Sequence, residues 1–187
     1  MKKANGYDLY LILHGCPQDP KDLIPHEKRW MNWLAGKLQE KGLNAIAPDM
    51  PSPWNPDYEK WKMEFDKYQI TENTQLIGHS CGGGFLVRWL LDTKKKVKKL
   101  ILVAPAKTSI HEDRKSFYDF DLPNNASEIA DSIVIFISND TEGMLKSFEV
   151  YNKFLKPKVI RLENKKHFLY FQMNTVGFPE LLDEALV

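Results

Sequence analysis

The chain has 187 residues, 43% of them hydrophobic and 27% charged, a size and balance that suit one globular domain with a sizeable core. Lys and Arg number 26 against 25 Asp and Glu, so the formal net charge is +1 and gives no reason to expect nucleic acid or a membrane as partner. No apolar run approaches transmembrane length, and nothing suggests secretion, so a cytoplasmic protein with Cys16 and Cys81 as reduced thiols is expected. Met1-Lys2-Lys3 resembles the start of a signal peptide. The apolar run that follows, Leu9 to Leu13, is too short for one and leads straight into His14-Gly15.

Short apolar, β-rich runs alternate with amphipathic stretches, the pattern of an α/β fold with a mostly parallel sheet. Tyr7–Leu13 reads as the first strand. His26–Lys41 reads as a helix with Trp30, Trp33, Leu34 and Leu38 on one face, ended by Gly42. Leu43–Ala47 is the second strand, followed by a proline-rich loop over 51–56 and a helix over Asp57–Lys67. Thr74–Ile77 is the third strand and Gly82–Asp92 the helix behind it. Val97–Val103, Ser132–Ile137 and Val159–Leu162 complete six strands, with helices over Glu142–Leu155 and Phe178–Leu186. Residues 106–131 have the least regular pattern and read as a long loop with a short helix. The basic run 94–99 reads as a solvated turn.

Between the third strand and its helix stands Gly78-His79-Ser80-Cys81-Gly82. Gly-x-Ser-x-Gly in that setting is the nucleophile elbow of α/β-hydrolases, where glycines two residues either side of the serine relieve a tight turn. A serine hydroxyl needs a base within hydrogen-bond reach, and the base needs an orienting acid. In this fold the chain order is serine, acid, histidine, each past the carboxyl end of a strand. His167 follows the last strand, unlike His14, His26, His79 and His111, and is the candidate base. Asp140 follows the fifth strand and is the candidate acid, with Glu142 and Asp121 as alternatives. His79, beside the nucleophile, points elsewhere in a sharp turn, so packing and hydrogen bonding are its expected roles.

An oxyanion hole needs two backbone N–H donors. Cys81 supplies one. The loop after the first strand supplies the other, and because Pro17 has no N–H the candidate is Cys16, with Gly15 behind it. The two cysteines would then flank the hole, either as thiols close enough for redox inactivation or as small side chains filling crowded space. Trp54, between prolines on the catalytic side, is a candidate pocket residue with surface packing as the alternative. Neither a metal-ligand cluster nor a nucleotide motif stands out, so no metal and no cofactor are expected.

These residues resemble the small α/β serine hydrolases that include retinoblastoma-binding protein nine and the YdeN-like proteins. The resemblance runs nearly the whole length. It includes His14-Gly15, Trp30-Met31-Asn32-Trp33-Leu34, Ala47-Pro48-Asp49-Met50-Pro51, Trp61, the elbow, Leu102-Val103-Ala104-Pro105, Ser138-Asn139-Asp140, His167-Phe168 and Phe178-Pro179-Glu180-Leu181-Leu182. It implies a single three-layer α/β-hydrolase domain over 1–187 without a large cap, and the triad Ser80, Asp140 and His167. Two positions depart from the family pattern. Lys166 stands where glycine usually precedes the histidine, and Thr141-Glu142-Gly143 follows the acid where a proline is common, so both loops are expected to be shifted. The function expected is hydrolysis of small esters, thioesters or amides through an acyl-enzyme. The alternative is a catalytically weak binding or scaffold protein on the same fold. No oligomeric state is assigned.

Overall fold

The computed structural model describes residues 6–109 and 111–187; the Met1-Lys2-Lys3 leader reading lies outside the described residues. Six strands form one sheet: β1 (Leu9–Leu13), β2 (Ala45–Ile46), β3 (Thr74–His79), β4 (Val97–Val103), β5 (Ala130–Ile137) and β6 (Lys158–Arg161). Their order is β2-β1-β3-β4-β5-β6, and every pairing is parallel. Parallel neighbours require crossovers, here supplied mainly by helices α1 (Trp30–Glu40), α2 (Tyr58–Phe65), α3 (Cys81–Thr93) and α4 (Glu142–Leu155). Two helices close the chain, α5 (Tyr170–Met173) and α6 (Pro179–Leu186).

The strand period of two sorts side chains between the two faces of the sheet. Leu9, Leu11 and Leu13 join one core with Trp61 and Phe65 of α2, Phe85 and Trp89 of α3, and Phe148 and Tyr151 of α4. Tyr10 and Ile12 join the other with Trp30, Leu34 and Leu38 of α1 and Leu181 and Ala185 of α6. The result is a three-layer α/β sandwich with no large cap domain among the described residues. Trp30 lies in the second core, and Trp33 packs half-buried against it.

The differences from the predicted elements have local causes. The His26–Lys41 helix divides into a 3-10 turn over His26–Lys28 and α1, because Arg29 between them is extended (φ −103°, ψ 123°). Its buried guanidinium is held by Ile24 O at 2.5 Å and Asp49 Oδ1 at 2.6 Å. β2 is two residues rather than five, an edge strand in register only at Tyr10↔Ala45 and Leu11↔Ile46. α5 was not predicted, since four residues are too few to show a period. The irregular segment holds two 3-10 turns, Glu112–Tyr118 and Ala126–Ile129. The first is gripped from α3 by Arg88, whose Nη1 donates to Ser116 O at 2.7 Å and Phe117 O at 3.0 Å.

The C-terminal helix is pinned to the sheet by charge. Lys99 of β4, 5% exposed, donates to Glu184 Oε1 at 2.7 Å and to its carbonyl at 2.7 Å. Lys158 reaches Oε2 from a solvated position and contributes little. Burial raises the Glu184 pKa, but the hydrogen bonds from Lys158 and Lys99 outweigh it and the net shift is downward. Glu184→Ala strands a buried ammonium, and a loss of about 3 kcal/mol in a denaturant melt is expected. Because the folded pKa is depressed, this stabilisation is full above the unfolded value of 4.5 and is lost as pH falls through the folded one. Glu184→Gln should flatten that acid limb. An unchanged limb would show that the pair does not govern it.

Candidate active site

Ser80 sits between β3 and α3 with φ 51° and ψ −119°, a left-handed backbone that costs a non-glycine residue about 1–3 kcal/mol. The surroundings hold it there. Its N–H donates to Val103 O at 3.0 Å, and its C=O accepts from Gly84 N–H at 3.2 Å and Ala106 N–H at 3.0 Å. Close approach makes glycine necessary on both sides. A Cβ on Gly78 would lie 2.7 Å from Gly83 Cα, and one on Gly82 would lie 2.5 Å from His14 O.

Asp140 and His167 lie past the ends of β5 and β6 and converge on the serine. His167 Nδ1 is 2.5 Å from Asp140 Oδ2, and His167 Nε2 is 3.0 Å from Ser80 Oγ. A carboxylate can only accept, so Nδ1 carries the proton and Nε2 is left to accept from the hydroxyl. The Asp140 side chain is 3% exposed and that of His167 20%. Burial raises the Asp140 pKa, but the hydrogen bond and charge of His167 and the Thr141 N–H, 2.7 Å from Oδ1, outweigh it and hold the carboxyl low. The alternative acids are elsewhere. Glu142 is 82% exposed and pairs with Lys146, and Asp121 is exposed.

The two loops that depart from the family pattern are tied to each other. Lys165 N–H donates to Ser138 Oγ at 2.9 Å and Lys166 N–H to Asn139 Oδ1 at 3.4 Å. Lys166 takes φ 47°, so the lysine adopts the left-handed conformation that a glycine would take without strain. The backbone of His167 is clamped at both ends. Gln172 Oε1 accepts its N–H at 2.8 Å, and His79 Nε2–H donates to its carbonyl at 2.8 Å. A carbonyl only accepts, so this bond sets the His79 tautomer. Burial first, then the charge of His167, pushes the His79 pKa down to about 3, so the ring stays neutral. It meets His167 through that backbone bond and through a tilted ring contact with centroids 4.9 Å apart, and Trp30 packs against it edge-on at 5.6 Å between centroids.

The cysteines are not free thiols. Cys16 and Cys81 are joined by a disulfide, with Cα atoms 5.8 Å apart, which corrects the expectation of two reduced side chains. The elbow and the loop after β1 are packed so closely that the two side chains meet. Reduced thiols are the default for a cytoplasmic protein, and the disulfide departs from that default. Cys81 opens α3, where first-turn amides have no intrahelical acceptor, and among the described residues no carbonyl takes the Cys16 N–H.

His14, to which the sequence reading assigned no role, orients the same loop. Its Nε2 accepts from Met50 N–H at 2.9 Å, so its proton is on Nδ1, which donates to Gly15 O at 2.8 Å. That grips the carbonyl end of the peptide whose other end is the Cys16 N–H. Burial lowers the His14 pKa and keeps the ring neutral, as accepting from Met50 requires. The signal was present in His14-Gly15, but only the fold shows which backbone groups the ring meets. Trp54 is half-buried in the loop between β2 and α2, and its carbonyl accepts from Arg114.

A parallel six-stranded sheet, helices on both faces and a strained serine at a strand–helix elbow define the α/β-hydrolase class. The chain belongs to the serine hydrolase family, whose model matches residues 10–173. It is similar to YdeN of Bacillus subtilis (strain 168), a hydrolase by name, at 37% identity over 79 residues, 40% of this chain. A second similar protein of that organism is nap, a carboxylesterase by name, 31% identical over 137 residues, 70% of this chain. The matches span less than half of those two proteins, 42% and 44%. The crystal structure of the ydeN gene product of B. subtilis superposes with a TM-score of 0.82 at 22% identity, covering 95% of this chain and 96% of that one.

Proposed function

We propose that the protein hydrolyses small carboxylic esters, thioesters or amides through an acyl-enzyme on Ser80. The observation that carries this reading is the continuous chain of hydrogen bonds from Ser80 Oγ through both nitrogens of His167 to Asp140. Oγ attacks the substrate carbonyl while Nε2 takes its proton. Asp140 holds the ring in that tautomer and stabilises the imidazolium. The N–H groups of Cys16 and Cys81 receive the oxyanion. Nε2 then returns the proton to the leaving alcohol, thiol or amine, and water repeats the sequence on the acyl-enzyme. The ring of Trp54 forms part of the pocket wall. Support comes from family membership and from the carboxylesterase name of nap. No nucleic acid and no membrane takes part, and the whole chain acts as one catalytic domain.

A p-nitrophenyl acyl ester panel tests this. A burst of one p-nitrophenol per active site, with the acyl mass on the Ser80 peptide, is expected; turnover without acylated Ser80 would overturn the reading.

The disulfide holds both oxyanion donors in one frame. A dithiol such as dithiothreitol reduces it to two thiols and is itself oxidised to a cyclic disulfide. Misplacement of catalytic groups by an ångström costs up to about a hundredfold, and kcat on an ester should fall by that order on reduction. Equal kcat with two titratable thiols would show that packing alone holds the loop.

A further inference from the structure

Arg114, in the Glu112–Tyr118 turn, is 7% exposed. Its guanidinium serves three main-chain carbonyls. Nη1 donates to Pro17 O at 3.1 Å, and Nη2 donates to Gln18 O at 2.7 Å and to Trp54 O. Among the described residues it has no carboxylate partner, and its Nε has no acceptor. Taking a guanidinium out of water is costly, and an ion pair is the usual compensation. Here the cation is committed to the backbone of two loops, one following Cys16 and one carrying Trp54.

The wiring forms a closed circuit. Ser80 and Cys81 stand at the head of α3. Seven residues beyond Cys81, Arg88 of the same helix grips the 3-10 turn through Ser116 O and Phe117 O. That turn presents Arg114, Arg114 holds Pro17 and Gln18, and Cys16 returns through its disulfide to Cys81. Every link ends on α3 or on the loop that faces its head. Pro17 and Trp54 are half-buried and Gln18 is exposed, so water can satisfy their carbonyls if the guanidinium is removed. Loss of the guanidinium is therefore expected to affect the loop's placement more than the fold.

We propose that Arg114 is a positioning residue that holds the oxyanion loop against the head of α3 and brings the Trp54 loop into the same frame. The inference rests on the serine-hydrolase reading above. An alkylboronic acid is the probe, because it adds to Ser80 Oγ as a tetrahedral anion whose oxygen occupies the oxyanion hole. Arg114→Ala should lower kcat on a p-nitrophenyl ester by about tenfold to a hundredfold, leave KM within about threefold, and weaken boronate binding by the same factor as kcat. Guanidinium chloride at low millimolar concentration should restore part of kcat in this variant, and equal urea or sodium chloride should not. Arg114→Lys keeps the charge without the planar fork and should remain impaired. A kcat within about twofold of wild type, or unchanged boronate affinity, overturns the proposal. If the alanine variant does not fold, the lysine variant carries the same boronate comparison, and wild-type affinity there overturns it. Wild-type protein that binds no boronate would instead overturn the hydrolase reading itself.

Discussion

Ser80→Ala is expected to reduce ester turnover by about a millionfold and to abolish labelling by a fluorophosphonate. The substitution removes the hydroxyl oxygen positioned 3.0 Å from His167 Nε2. Residual turnover would come from binding and the oxyanion donors acting on water. The fold should persist. The backbone bonds of residue 80 to Val103, Gly84 and Ala106 do not involve the hydroxyl, and alanine is no more strained at φ 51° than serine. Intact mass after probe treatment, paired with a thermal melt, separates lost chemistry from lost structure. Equal labelling of the alanine variant would place the nucleophile elsewhere.

Asp140→Asn should lower kcat by about ten-thousandfold while changing the side chain's size hardly at all. The carboxylate accepts from His167 Nδ1–H at 2.5 Å and so leaves Nε2 unprotonated toward the serine. An amide can present its NH2 group instead, which favours the opposite tautomer and puts a hydrogen where the base is needed. It also removes the negative charge that stabilises the imidazolium. Glu142→Gln is the control. Its carboxylate is solvated and paired with Lys146, so kcat within about twofold of wild type is expected. Steady-state kinetics on one ester decide the matter. If the two variants were equally active, Asp140 would not be the orienting acid, and a large loss in Glu142→Gln would move the role there.

Much of the frame was readable because it depends on local pattern. Val97–Val103 and Glu142–Leu155 coincide with β4 and α4, since the first ends in a continuous apolar run stopped by Pro105 and the second carries apolar residues at helical spacing. The elbow was readable because its motif is local: Gly78 is demanded by Gly83 within the same strand–helix unit, although the group that demands Gly82 is the distant His14 carbonyl. The ends of elements were less so. Arg29 breaks the predicted helix through a side chain bound to Asp49, twenty positions away. Lys166 illustrates the same limit. A missing glycine suggested a shifted loop, yet lysine accepts φ 47° because Asn139 and Ser138 hold the neighbouring backbone.

The cysteines mark the boundary between the two kinds of information. Sequence order, residue type and strand ends were enough to single out Ser80, Asp140 and His167 as candidates that would meet, because each follows its own strand and the parallel sheet brings those ends together. Pairing Cys16 with Cys81 across 65 residues needed the tertiary structure. So did the His14 bond to Met50, the His79 bond to the carbonyl of His167, and the meeting of Arg114 with Pro17, Gln18 and Trp54. The physical reason is the range of the interactions. Periodicity and turn chemistry act over a few residues and leave a trace in the sequence. A buried side chain that grips a distant carbonyl is specified by where two loops come to rest, and that is decided only when the sheet and its helices have packed.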